Sequence, residues 1–247
     1  MLLLARDYST RRKVFGRLQG QWPLHTRTLA EMEVEVRGCE HLILDVARLI
    51  GLQESGRATV EEGIVMRLLT PVLKAYTAKV AVAHISECLE CFGGMGYLED
   101  TGLPTALRDV QVATIWEGTT NVLSLDVLRV MAGHQGAVPD ALMSAVEGLV
   151  EKARGSSNPK VKECAEVVVD ACSKLCEDVV SLASAVAGGS ADTRKDAGAR
   201  EILFSIARVY ISALVVQSAS YPDATPMEVA TAERWCLERN LVSMAPI

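Results

Sequence analysis

Aromatic residues are scarce, with three Phe, three Trp and five Tyr among 247 residues. Runs that alternate apolar and polar residues are also few, while Ala, Leu and Val are abundant, a composition that suits packed helices rather than sheets. Cationic excess is missing too. The formal net charge is −6, and residues 137–247 carry 11 Lys and Arg against 15 Asp and Glu, so a phosphate-binding nucleic-acid surface is not expected. No apolar run reaches the roughly 18 residues that span a bilayer. Leu2-Leu3-Leu4 is too short for the core of a secretory signal and has no basic start. The seven cysteines are then read as free thiols in a reducing compartment. The expected location is intracellular, in the mitochondrial matrix or the cytoplasm, and not secreted. A metal centre lacks its ligands. His84, Cys88 and Cys91 share a helical face, but no second pair stands nearby, so packing between helices is the better account of them.

What is present is helical rhythm. The chain opens already in a helical pattern with no capping residue before Leu2, which is expected to continue from sequence upstream. Tyr8 to Arg17 is strongly basic: either a helix end whose cations complement the dipole, or a phosphate-holding stretch built on the planar fork of arginine. Pro23 is expected to end that element. Leu29, Met32, Val36, Cys39, Ile43, Val46 and Ile50 recur at intervals of 3 and 4, a seam that predicts a helix over 27–52. A further helix is expected over 60–92, kinked near Pro71, and closes at Gly93-Gly94-Met95-Gly96. Residues 97–104 read as a loop and 120–132 as a helix ending at Gly133. Short connections between such helices give an up-and-down four-helix bundle. Beyond it, helices are expected over 141–152, from Asn158-Pro159 to Gly188-Gly189, from Asp192 or Thr193 onward with Leu203, Ile206, Tyr210, Ala213 and Val216 buried, and from Thr225 to about Arg239. The last starts at a capping box, Thr225 to Glu228.

One carboxylate stands out. Glu117 lies between Ile115-Trp116 and Gly118, ahead of Thr119 and Thr120, either of which can cap the following helix. Bulky apolar neighbours would withhold water from it. Desolvation disfavours the charged form of a carboxylate, as a general base working near neutral pH requires. The plain alternative is a solvated residue near the positive end of a helix dipole.

Four motifs fall in one order: Arg12-Lys13-x-Phe15-Gly16, Leu29-Ala30-Glu31-Met32, Phe92-Gly93-Gly94-Met95-Gly96-Tyr97 and Ile115-Trp116-Glu117-Gly118-Thr119. Together they closely resemble the C-terminal helical domain of flavin-dependent acyl-CoA dehydrogenases, over residues 1–135. Trp116-Glu117-Gly118, Tyr97-Leu98-Glu99-Asp100, Leu103-Pro104 and Leu125 to Arg129, with the helical extension at 137–247, look most like the alkylation-response, AidB-like branch.

The resemblance implies an all-α fold, a four-helix bundle followed by that extension, and FAD as cofactor. It makes Glu117 the base that removes the α-proton of a fatty acyl-CoA thioester while the β-hydrogen leaves as hydride to the flavin. Trp116 and Gly118 would line the flavin and thioester site. Arg12 and Phe15 would touch the FAD of a neighbouring subunit, with Arg12 on the pyrophosphate. Gly93 and Gly94 would approach its adenosine end, and Thr119 and Asn121 would meet the subunit's own FAD. The implied assembly is a homotetramer or homodimer sharing FAD at the subunit interface, handing electrons to an electron-transfer partner. Two residues depart from the family's pattern: Glu90 and Asn121 each stand where Gln is usual. The N-terminal and middle domains that complete the family's flavin and acyl-CoA pocket are not among these 247 residues, so the chain by itself would hold half of that site. The competing readings are an AidB-like protein that binds flavin or acyl-CoA without efficient turnover, and a non-catalytic helical assembly module.

Overall fold

The computed structural model describes residues 1–134, 136–187 and 197–242. Among these the chain forms nine helices and one short hairpin: α1 Leu2–Ser9, β1 Lys13–Val14, β2 Arg17–Leu18, α2 Pro23–Glu54, α3 Val60–Cys91, α4 Leu103–Val112, α5 Thr120–Gly133, α6 Ala137–Arg154, α7 Pro159–Ala187, α8 Ala199–Ala219 and α9 Pro226–Leu237. The all-α expectation holds. The chain divides into two compact units, one of residues 1–37 with 77–119, the other of 38–76 with 120–247. The long helices α2 and α3 each contribute to both.

Several helix starts follow from local chemistry. Thr59 Oγ1 accepts from the Glu62 amide at 3.1 Å while Glu62 Oε2 accepts from the Thr59 amide at 2.9 Å, a reciprocal cap for α3. Thr225 and Glu228 do the same for α9, as the sequence predicts. Asn158 Oδ1 accepts from the Lys160 amide, and Pro159 opens α7 where its missing N–H costs nothing. Pro23 acts in the same way, which overturns its reading as a stop. It is the first residue of α2, after an extended Trp22. The expected break at Gly188-Gly189 and the expected start at Asp192 or Thr193 lie outside the described residues.

Two other expectations are corrected. The basic stretch after Tyr8 is only in part a helix end: α1 stops at Ser9, the Arg11 and Arg12 amides close its last turn on the Tyr8 carbonyl, and Lys13 and Arg17 fall on an antiparallel hairpin pairing Lys13 with Leu18 and Val14 with Arg17. The seam on α2 also drifts. Leu42, Asp45, Val46 and Leu49 are buried, whereas Ile43 and Ile50 are exposed, because a 3.5-residue spacing slips around a 3.6-residue helix by about 20° per heptad.

The first unit has a small core of Ala5, Leu29, Met32, Cys88, Cys91 and Phe92. Cys88 Sγ lies 3.8 Å from Met32 Sδ, and burial pushes the Cys91 thiol up to about 11. Both cysteines are core residues. The second unit is built on α8. Leu203, Ile206, Tyr210, Ala213 and Val216 are all buried, as expected, together with ten other residues of that helix. By length and composition α8 could cross a bilayer, which corrects the reading that no stretch could. Yet 78% of its apolar window is buried within the protein, as in a core helix.

Gly38 shows how tight this core is. A Cβ there would fall 2.4 Å from a Trp235 ring carbon and 2.7 Å from Ile211 Cγ2. Gly38→Ala is expected to lower stability by about 1–3 kcal/mol, read by denaturant unfolding. Tyr210 donates to Asp45 Oδ2 at 2.7 Å, and burial, reinforced by Asp45, holds its hydroxyl protonated well above the usual tyrosine range. That contribution is complete below about pH 10 and is lost above it, where the unfolded chain ionises and the folded one does not. Tyr210→Phe should therefore be less stable at neutral pH and show a shallower fall in melting temperature above about pH 10.

Candidate functional site

Two residues outside glycine have a left-handed backbone among those described: Phe15, φ +50°, and Glu117, φ +53°. Each precedes a glycine that is also left-handed, Gly16 at +79° and Gly118 at +112°. For Phe15 the cause is the hairpin. A two-residue connection between twisted strands favours positive φ at both positions, which a bulky side chain adopts only with strain. Its ring is 94% exposed and meets only the edge of Trp22, at 6.3 Å. The hairpin therefore leaves an aromatic ring exposed.

Beside the hairpin, a cavity of about 350 Å³ is lined by Tyr8, Arg12, Gln19, Glu90, Gly93 and Gly94. Arg12, Gly93 and Gly94, singled out separately in the sequence, meet here. Gly96 is required by packing, since a Cβ there would lie 2.1 Å from the Leu89 carbonyl oxygen. Gly93 has φ +61°, which glycine adopts freely. Gly94 has no such constraint: a Cβ on it would meet nothing within 4 Å, so open space lies above the turn. Gln19, which the sequence reading missed, fixes the cavity wall by donating from Nε2 to the Cys91 carbonyl at 2.8 Å. Its Oε1 is buried without a hydrogen-bond partner. A guanidinium, a bare glycine turn and an unused acceptor suit a phosphorylated, hydroxyl-bearing ligand such as a dinucleotide. Phe15 lies on a neighbouring, largely apolar cavity of about 460 Å³ with Trp22, Leu24 and His25. Burial of His25 lowers its proton affinity.

The second cluster is the link between α4 and α5. The Ile115 and Trp116 amides both donate to the Val112 carbonyl, so α4 ends in tight turns before Glu117. The wall expected around the carboxylate is not supplied by this chain. Ile115 is 58% and Trp116 57% exposed, and Glu117 is exposed as well. No second layer of the described chain covers these side chains. Thr119 is exposed, Thr120 is buried at the start of α5, and Asn121, exposed, accepts from Arg200.

The family description for the acyl-CoA dehydrogenase C-terminal domain matches residues 1–132. The chain belongs to the acyl-CoA dehydrogenase family. A second description, acyl-CoA dehydrogenase 11 C-terminal domain-like, matches residues 137–246. Acyl-CoA dehydrogenase family member 11 of Caenorhabditis elegans is 47% identical over 99% of this chain, which spans 39% of that protein. The crystal structure of that worm protein in complex with C11-CoA superposes with a TM-score of 0.93 over 99% of this chain and 41% of the worm chain. The putative acyl-CoA dehydrogenase AidB of Escherichia coli is 36% identical over 58% of this chain and 25% of its own length. An acyl-CoA dehydrogenase from Bacillus anthracis, solved with FAD, shares the fold at 18% identity, with a TM-score of 0.72 over 96% of this chain and 43% of its own. The chain thus corresponds to the C-terminal part of an acyl-CoA dehydrogenase, spanning about two-fifths of the worm relative.

Strain at Phe15 can be measured. Removing the ring in Phe15→Ala leaves a left-handed alanine, whereas Phe15→Gly also relieves the backbone. The glycine variant should be the more stable of the two by about 1 kcal/mol. Equal or reversed melting temperatures would show that the left-handed turn does not form.

Proposed function

We propose that the chain is the catalytic-base-bearing part of an FAD-dependent acyl-CoA dehydrogenase that introduces a double bond between Cα and Cβ of a fatty acyl-CoA. The observation that carries the reading is the strained backbone of Glu117, next to Gly118. A glutamate held left-handed between two helices, with its carboxylate free of any structural partner among the described residues, is the kind of cost that a fold keeps at a working site.

In this reading Glu117 takes the proton from Cα of the thioester, and the β-hydrogen departs with its electron pair. FAD, when bound, supplies the acceptor for that hydride. The charge that develops on the thioester is stabilised only if water is kept away. The cover over Ile115, Trp116 and Glu117 would then come from residues upstream of this chain. Trp116 and Gly118 would line the substrate side. Thr119 and Asn121 would meet the subunit's own FAD. Arg12, with Gly93 and Gly94, would hold the pyrophosphate and adenosine end of FAD bound to a neighbouring copy, and the projecting Phe15 would reach the same cofactor. That sharing implies a homodimer or homotetramer, with residues 1–135 as the bundle domain, residues 137–247 as an extension, and a separate protein to take the electrons. The worm relative's C11-CoA complex supports a fatty acyl-CoA as substrate. Relatives named as mitochondrial, such as the rat short/branched chain enzyme, support a mitochondrial or cytoplasmic location.

Exposure of Glu117 and likeness to AidB also favour a second reading, a flavin- and acyl-CoA-binding protein without efficient turnover. A bare assembly module would bind neither ligand. Expressed with its upstream domains, the protein is expected to carry FAD whose visible absorbance bleaches on adding a fatty acyl-CoA. Glu117→Gln should slow bleaching by roughly 10²–10⁴-fold while FAD and acyl-CoA still bind. Bound flavin that no acyl-CoA bleaches would decide for the binder.

A further inference from the structure

Arg200 stands on the first turn of α8, and its Nη1 donates to Asn121 Oδ1 at 3.1 Å. The two residues are 79 positions apart, one in the extension and the other beside the proposed flavin site. The guanidinium also lies 5.7 Å over the Phe204 ring, one turn along α8, and that ring is 5.9 Å from Tyr76 on α3. Arg200 is thus held by ring contacts as well as by its hydrogen bond. An exposed polar pair of this kind adds little to stability, which leaves its effect on Asn121 to be explained.

Arginine carries N–H donors and no acceptor. The atom of Asn121 that faces it must be the oxygen, and the amide is fixed against flipping by the chemistry of its partner. Without Arg200, the side chain could present either its oxygen or its nitrogen to a ligand. With Arg200, it presents N–H. FAD offers acceptor oxygens on its phosphates and on its ring carbonyls. Resting on the flavoprotein reading above, we propose that Arg200 is a positioning residue. It holds Asn121 as a hydrogen-bond donor to an acceptor oxygen of the subunit's own FAD, so that the extension helps to form the cofactor site. Asn121 is one methylene shorter than the Gln usual at this position, and a fixed amide offsets part of the lost reach.

The test uses the full-length protein stripped of FAD, with FAD affinity read from quenching of flavin fluorescence. Arg200→Met should weaken binding roughly tenfold, the scale of one net hydrogen bond. Arg200→Lys, also a pure donor, should restore most of it. Asn121→Ala should weaken binding to a similar degree, and adding Arg200→Met to it should cause no further loss, because Arg200 acts through Asn121. The melting temperature of the FAD-free protein should be the same in Arg200→Met and wild type. Unchanged affinity in Arg200→Met overturns the proposal, as do losses that multiply in the double variant or a fall in melting temperature that accompanies the loss. Wild-type protein that binds no FAD sinks the flavoprotein reading itself, an outcome separate from any of these.

Discussion

Burial of most of α8, 15 of its 21 residues, is the constraint on which the second unit depends. A helix that is mostly apolar around its circumference cannot leave those sides to water, so neighbours must enclose it and supply partners for its buried polar groups. Most have one, although Glu201 Oε2 is buried without a hydrogen-bond partner. Ser212 donates to the Arg208 carbonyl at 2.6 Å, and the same carbonyl accepts from Trp235 Nε1 at 3.1 Å. Arg208 donates to the Leu241 carbonyl and to Ser205 Oγ, each at 3.1 Å, and Tyr210 donates to Asp45. A single one of these groups left unpaired would cost about 1–3 kcal/mol, as much as burying one more aliphatic side chain contributes. Trp235, fully buried from α9, supplies one of these bonds and also sets the requirement for glycine at position 38. One indole thus ties α9 to α8 and to α2.

The same burial explains why α8 resembles a membrane span in composition. Lipid and a closed protein core impose the same demand, that no backbone or side-chain polar group go unpaired. The partners distinguish them. Asp45, Trp235 and the Leu241 carbonyl come from other parts of this chain, so the environment of α8 is protein.

Sequence reading succeeded where the controlling chemistry is local. The caps at Asn158 and Thr225 act within a few residues, and each helix starts where its cap stands. The hairpin at 13–18 escaped it because strands of two residues carry no period, and four cations within seven residues suggest a helix end more readily than a turn. The α2 seam failed for a geometric reason: a small angular slip per heptad accumulates over 22 residues until Leu42 and Leu49 are inside and Ile43 and Ile50 outside. The site divides similarly. Arg12, Gly93 and Gly94 were legible as motif residues, and they share a cavity. Gln19 and Arg200 were not, since nothing near either residue in the chain announces the Cys91 carbonyl or the Asn121 amide. The expected apolar screen around Glu117 was misjudged because adjacency in sequence says which side chains are near, not whether anything covers them.

Phe15 and Glu117 violate the same local rule, a left-handed backbone at a side chain with no liking for it, and packing explains neither. Phe15 buries almost none of its ring, and Glu117 rests on nothing. In a core, strain of this size can be offset by contacts made at the same residue. Here the compensation has to come from elsewhere, and in each case a neighbouring glycine lowers the cost of the turn without removing it. Both residues belong to the sequence motifs Arg12-Lys13-x-Phe15-Gly16 and Ile115-Trp116-Glu117-Gly118-Thr119. An exposed aromatic on a rigid two-residue turn is suited to entering another surface with little entropy left to lose. Glu117 likewise stands exposed on a tight turn between α4 and α5. Strain without local compensation is therefore the physical mark that the two positions share, and it separates them from Cys88 and Cys91, whose place in the first unit's core is accounted for by packing alone.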